Sequence, residues 1–250
     1  MATLILAGLL PGQSPNDKEP ISTDRPAIAA SSVVVPKGSF QSENGFLVTN
    51  SQGQRSFDGP ETSLRLGVAG NIELRLSVPD YFRDVPTGTG VASGFGDLTI
   101  GVKRQLGPTS GGFDVSVIAF LSLPAGADAV SSHGYDPGLQ LPWSRKLSAN
   151  WSAGGQFALY WPTQGDKRNL TGEPTFLLDR QLTQRSDAFI AYVGDFPQRG
   201  GPRHLVHFGA AYRIAPRHQL DAHFGIGLSS AAIDHFIGVG YSFRFQLFRR

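Results

Sequence analysis

The chain has 250 residues, no cysteine, one methionine, 31 glycines and 17 phenylalanines, with a formal charge of +2. No run reaches the roughly 18 apolar residues that a spanning helix needs, which excludes a polytopic helical membrane protein. The small charge and scattered basic residues give no stripe to follow phosphates, and the absence of cysteine removes disulfides and thiolate metal sites.

Residues 1–20 open with a short apolar run, Met1 to Leu10, that has no basic residue before it. This reads either as a truncated signal peptide or as a slightly apolar disordered end. From Pro11 the composition turns polar. Ser22-Thr-Asp-Arg-Pro26 and Val33-Val-Val-Pro-Lys-Gly38 then suggest an extended leader over 21–38, because each proline biases its predecessor away from helix.

Residues 39–248 carry a repeated period-two pattern, the mark of strands. The clearest case is the last. Ile237, Val239, Tyr241, Phe243 and Phe245 alternate with Gly238, Gly240, Ser242 and Arg244. One face is apolar and ends in aromatics, while the other is small, polar or charged, so the polar face looks inward and the apolar face meets lipid.

The same alternation predicts strands over 39–49, 61–68, 71–78, 95–105 and 113–123, then around Leu139–Trp143 and Trp151–Trp161. Weaker segments at 174–182 and 188–194 leave their parity ambiguous. Segments 204–214, 219–228 and the closing strand bring the count to about 12. Connections near Gly70, Ser110, Ala149, Arg185 and Pro216 read as tight, whereas 50–60, 79–94, 124–136, 162–172 and 195–203 read as longer loops. This alternation predicts an all-β fold: a single antiparallel up-and-down transmembrane barrel with short periplasmic turns and longer extracellular loops, in the bacterial outer membrane.

By parity, Arg65, Glu73, Arg75, Asp97, Lys103, Asp114, Arg213, Asp221 and Arg244 face the lumen as candidate pore-lining residues. Mutual neutralisation in a narrow barrel is the competing reading. A barrel of about 12 strands lies between those filled by side chains and those with an open channel, so a narrow or partly plugged pore is expected. Asp24 and Arg25 are adjacent, opposite in charge and followed by Pro26, a design suited to a leader that folds back as a plug. Trp143, Trp151, Trp161, Tyr160, Tyr81, Phe82 and Tyr241 lie near strand ends and read as girdle residues at the lipid headgroups. An aromatic path inside the barrel would have to use Phe120, Tyr160 and Phe236.

Thr23-Asp24-Arg25-Pro26, Val35-Pro36-Lys37-Gly38 and Phe40-Gln41-Ser42-Glu43-Asn44-Gly45 resemble a bacterial outer-membrane family. That family is described as putative MetA-pathway of phenol degradation. Thr62 to Leu76, Gly94-Phe-Gly-Asp-Leu98 and Gly240-Tyr-Ser-Phe243 extend the resemblance over most of residues 22–245. It implies a porin-like transport barrel for small hydrophobic or aromatic solutes, with outer-membrane lipid as partner, no cofactor and no catalytic residues. The alternatives are a lipid-modifying hydrolase and a purely structural barrel. For the hydrolase, His223 and His235 with Ser229 and Ser230 are the nearest candidates, but no Gly-x-Ser-x-Gly motif accompanies them.

Overall fold

The computed structural model describes residues 20–87 and 90–248, so the candidate signal segment lies almost wholly outside the described residues. The wall begins with β1 (Ser39–Ser51), β2 (Gln54–Gly59), β3 (Ser63–Ala69), β4 (Ile72–Ser77), β5 (Tyr81–Thr87), β6 (Gly90–Phe95), β7 (Leu98–Gln105) and β8 (Phe113–Leu123). It continues through β9 (Asp136–Lys146) and β10 (Trp151–Tyr160). A small hairpin follows, β11 (Thr163–Gln164) with β12 (Lys167–Arg168). The last wall elements are β13 (Thr171–Gln181), β14 (Ser186–Pro197), β15 (Arg203–Ala215), β16 (His218–Gly227) and β17 (His235–Gln246).

All but the small hairpin belong to one antiparallel sheet. It closes on itself where β1 meets β17, from Ser39 opposite Gln246 to Asn50 opposite His235. β1 pairs along one edge with β3 and then β2, and β4 and β5 likewise follow one another across the wall. β2 with β3, β4 with β5 and β6 with β7 are therefore interrupted single strands, and the 15 strands of the sheet make a 12-stranded barrel. Closure removes the edges that would otherwise present unpaired backbone to lipid.

This arrangement corrects two of the loop expectations. Residues 50–60 are the end of β1, a two-residue turn and β2, and the turn is tight because Gln52 and Gly53 both take positive φ, 52° and 77°. That geometry matches the twist of a hairpin. Residues 79–94 are largely β5 and β6. Bonds from Glu61 N to Gly45 O, Val78 N to Thr62 O and Gly96 N to Asp80 O carry the wall across each interruption. Most other connections follow the expected asymmetry, with turns at 70–71, 147–150, 182–185 and 216–217 at one end and loops at 124–135, 161–170, 198–202 and 228–234 at the other, but the connection 106–112 on the short-turn side is longer than the expected tight turn.

The outside is apolar around the circumference. Leu74, Ile100, Leu141, Phe157, Phe176, Ile190, Phe208, Phe224 and Val239 are all more than a third exposed, although they sit mid-strand. Inside, the order is reversed, and Gln41, Glu73, Lys103, Ser116, His207 and Ser242 are each 0% exposed. Histidine–tyrosine pairs mark the two rims: Tyr192 with His204 at the long-loop end and Tyr241 with His218 at the short-turn end. An arginine at Phe208, between Ile190 and Phe224, should cost about 2–4 kcal/mol in urea unfolding from lipid vesicles, the depth-dependent cost of charge on a barrel's lipid face. An unchanged unfolding midpoint for F208R would mean that this face does not meet lipid.

Candidate functional site

The leader, residues 20–38, runs inside the barrel. Ile21 N donates to Pro216 O in a short turn, and Gly38 N donates to Gly67 O near another, so both leader ends lie at the same mouth. Between them Ile21, Ala29, Val34 and Val35 are buried. The backbone of so irregular a segment needs partners, and the inner wall supplies them. Lys103 Nζ donates to Ser31 O and Val33 O, Ser116 Oγ to Ser32 O, Val35 N to Glu73 Oε2, and Ala30 N to Gln156 Oε1.

Asp24 and Arg25 turn to different clusters. Arg65 lies at the centre of the first, donating to Glu73 at 2.8 Å and to Glu43 at 2.7 Å, with Asp24 at 3.2 Å. Arg75 joins Asp24 to Glu73. Two wall strands, β3 and β4, thus present arginines to one leader carboxylate, and Glu43 Oε2 on β1 accepts from the backbone N–H groups of Asp24 and Arg25.

Arg25 extends the other way. It donates to Glu61 at 2.5 Å, to Asp221 at 3.2 Å and to Val239 O at 3.2 Å. A guanidinium only donates, so its 3.4 Å contact with His223 Nε2 makes that nitrogen the acceptor. His223 therefore carries its proton on Nδ1, 3.1 Å from His207 Nε2. Gly45 and Gly240, opposite one another in the closing pair, make room for this group, since a Cβ on either would overlap the guanidinium. Gly240→Val should displace Arg25 and speed hydrogen exchange at the Asp24 and Arg25 backbone amides, which are bonded to Glu43 in the folded barrel. Equal protection in variant and parent would show that the seat has slack.

Among the remaining candidates, Asp114, Asp221 and Arg244 are buried within the barrel, and Arg213 meets Asp187 at 3.3 Å. Asp97 is a correction. It sits at the interruption between β6 and β7 and accepts from Gly126 N, Ser131 Oγ and Ser132 N, tethering the 124–135 loop instead of lining the passage. Burial pushes its carboxyl up, but these hydrogen bonds outweigh that and hold it below its ordinary value.

Tyr160 is a second correction, because its hydroxyl points inward to Glu173 and its ring lies 5.8 Å from Phe120. It is no girdle residue. Phe236 packs inside against His207 and His223, whereas His235 lies on the exposed side with Asn50. Ser229 Oγ donates to Pro202 O and accepts from His204 N, which spends this hydroxyl on loop backbone. Sequence reasoning missed Glu43 and Glu61 as partners of the leader and His207 as the partner of His223, although parity would have placed Glu43 inside with Gln41.

A closed 12-stranded antiparallel barrel with an apolar outside and a polar inside defines an outer-membrane β-barrel protein. The chain belongs to the family described as putative MetA-pathway of phenol degradation, whose model matches residues 23–245. Its fold is similar to that of the COG4313 outer membrane channel from Pseudomonas putida F1, with a TM-score of 0.64 and 13% identity over 90% of this chain and 100% of that one. The NanC porin follows at a TM-score of 0.59 and 9% identity, covering 82% of this chain and 98% of that one. The KdgM porin gives 0.55 and 11%, covering 83% and 99%. No curated protein matches the sequence.

Proposed function

We propose that the protein is a narrow outer-membrane channel for small hydrophobic or aromatic solutes, with residues 21–38 as a plug at the periplasmic end of its lumen. The observation that carries this reading is the leader's seat. Asp24 and Arg25 are each held by several side chains from the inner wall, an arrangement that a trailing linker would not need. Arg65, Glu73, Arg75, Lys103 and Asp221 serve as lining and as the plug's counter-charges, while Asp114, Arg213 and Arg244 line the mouth. Above the leader, Phe120, Tyr160 and Phe236 offer aromatic surface on the inner wall. The similar structures named as a channel and as porins support passage of solutes, and the family description supports aromatic ones.

Swelling of liposomes loaded with the full chain tests the reading. Benzyl alcohol and phenol enter protein-free bilayers too readily to be informative, so the useful probes are membrane-impermeant aromatic glycosides compared with the free sugar. Faster entry of the aryl glycoside is expected. Equal rates would leave a non-selective pore, and no entry of either would remove the channel reading.

A further inference from the structure

Beside the leader, on the side away from the Arg65 cluster, lies a cavity of about 320 Å³ between residues 20–34 and the wall made by β9, β10 and β13–β16. We propose that this cavity binds a small protonated amine with an apolar body, such as an arylalkylamine. The proposal deepens the channel reading by naming a solute class for the same lumen.

The shape comes first. The volume is at the lower end of small-molecule pockets and suits one ring with a short chain. Gly154 and Ala211 keep the wall low, and Leu177 and Phe189 supply apolar surface for the ligand's body. Phe189 is fixed edge-on to His207, with ring centroids 5.1 Å apart, so the panel is preformed. The bond from Ala30 N to Gln156 Oε1 ties the leader to β10 beside it.

The charge comes second. Asp179 and Asp187 line this wall with one guanidinium between them, that of Arg213, which is 3.3 Å from Asp187 and also donates to Gln184 O. Among the described residues, Asp179 receives only a long bond, 3.4 Å, from the neutral Ser152 hydroxyl. The leader's own charges do not redress this, since Asp24 is turned to Arg65 and Arg75, and Arg25 to Glu61 and Asp221. Arg244 also lines the cavity, at its β17 side, and has an interaction of its own. An ammonium group placed at Asp179 would supply the missing charge-assisted hydrogen bond. A carboxylate ligand would meet two acidic side chains on the same wall.

Isothermal titration calorimetry on the full chain in nanodiscs, using phenethylamine, 2-phenylethanol and 3-phenylpropanoate, decides the matter. Protein-free nanodiscs supply the partition blank. Phenethylamine should bind about tenfold more tightly than 2-phenylethanol, the difference between a charge-assisted and a neutral hydrogen bond, and 3-phenylpropanoate should give no binding heat. Asp179→Asn should bring the amine and the alcohol to within about twofold, and Ala211→Phe should abolish both by filling the cavity. If A211F does not assemble, D179N decides alone.

No binding of the amine, equal binding of the carboxylate, or an unchanged amine preference in D179N would each overturn the proposal. A barrel that binds the amine yet passes no solute in swelling assays would sink the channel reading while leaving this site standing. Solute flux without amine binding would do the reverse.

Discussion

Removing residues 20–36 should raise the single-channel current by about twofold or more while the barrel remains folded, because the deletion empties part of a lumen of intermediate width. The wall ladder does not depend on the leader, since β1 begins at Ser39 and closes against β17 without it. The shortened protein should therefore still migrate faster unheated than boiled. Its unfolding midpoint should drop, because Glu43, Arg65, Glu73 and Lys103 lose leader partners. The residues left bare carry both signs and would line a wetted passage. Unchanged current from a correctly folded deletion would place the constriction elsewhere and reduce the leader to a structural strap.

The barrel was legible because a membrane wall obeys one simple rule, that side chains alternate between lipid and lumen. In β17 that rule separates Ile237, Val239 and Tyr241 from Gly238, Gly240 and Ser242 without ambiguity, and in β3, β4 and β7 it sends Arg65, Glu73 and Lys103 inward. It failed where composition imitates a loop. The interruptions around Pro60, Pro79 and Gly96 carry proline, glycine and charge, yet neighbouring backbone groups hold them in the wall. Proline at an interruption removes only a donor that the ladder does not use there.

Parity also says which way a side chain points without saying what it meets. Glu43 and Arg25 are 18 residues apart and Arg25 and Asp221 are 196 apart. Nothing local in the sequence announces these pairs, which exist only once the barrel has closed around the leader. Asp97 misled for a related reason. It continues the alternation of β7 but sits just before that strand, where three donors from a distant loop converge on it.

Arg65→Met should lower the stability of the folded barrel by about 3–5 kcal/mol, the usual cost of leaving one partner of a buried ion pair uncompensated. Arg65 has no exposed side-chain surface, and besides Glu43, Glu73 and Asp24 it donates to Val33 O at 3.3 Å. Methionine fills much of the volume but leaves three carboxylates sharing Arg75 and Lys103. Lysine retains the charge yet cannot reproduce the fork that contacts both oxygens of Glu73, at 2.8 and 2.9 Å, so R65K should lie between parent and R65M.

The double variant R65M/E73Q distinguishes charge from packing. Neutralising Glu73 relieves part of the uncompensated charge, so the pair should cost less than the sum of its single changes, the signature of residues in one network. Urea unfolding from vesicles gives the energies, and current recordings on the same samples should show the leader loosened in R65M, because Asp24 loses one of its two arginines. If R65M unfolds within about 0.5 kcal/mol of the parent, as an inconsequential surface change would, water already solvates this cluster and the leader's hold must come from Arg25 and the backbone bonds instead.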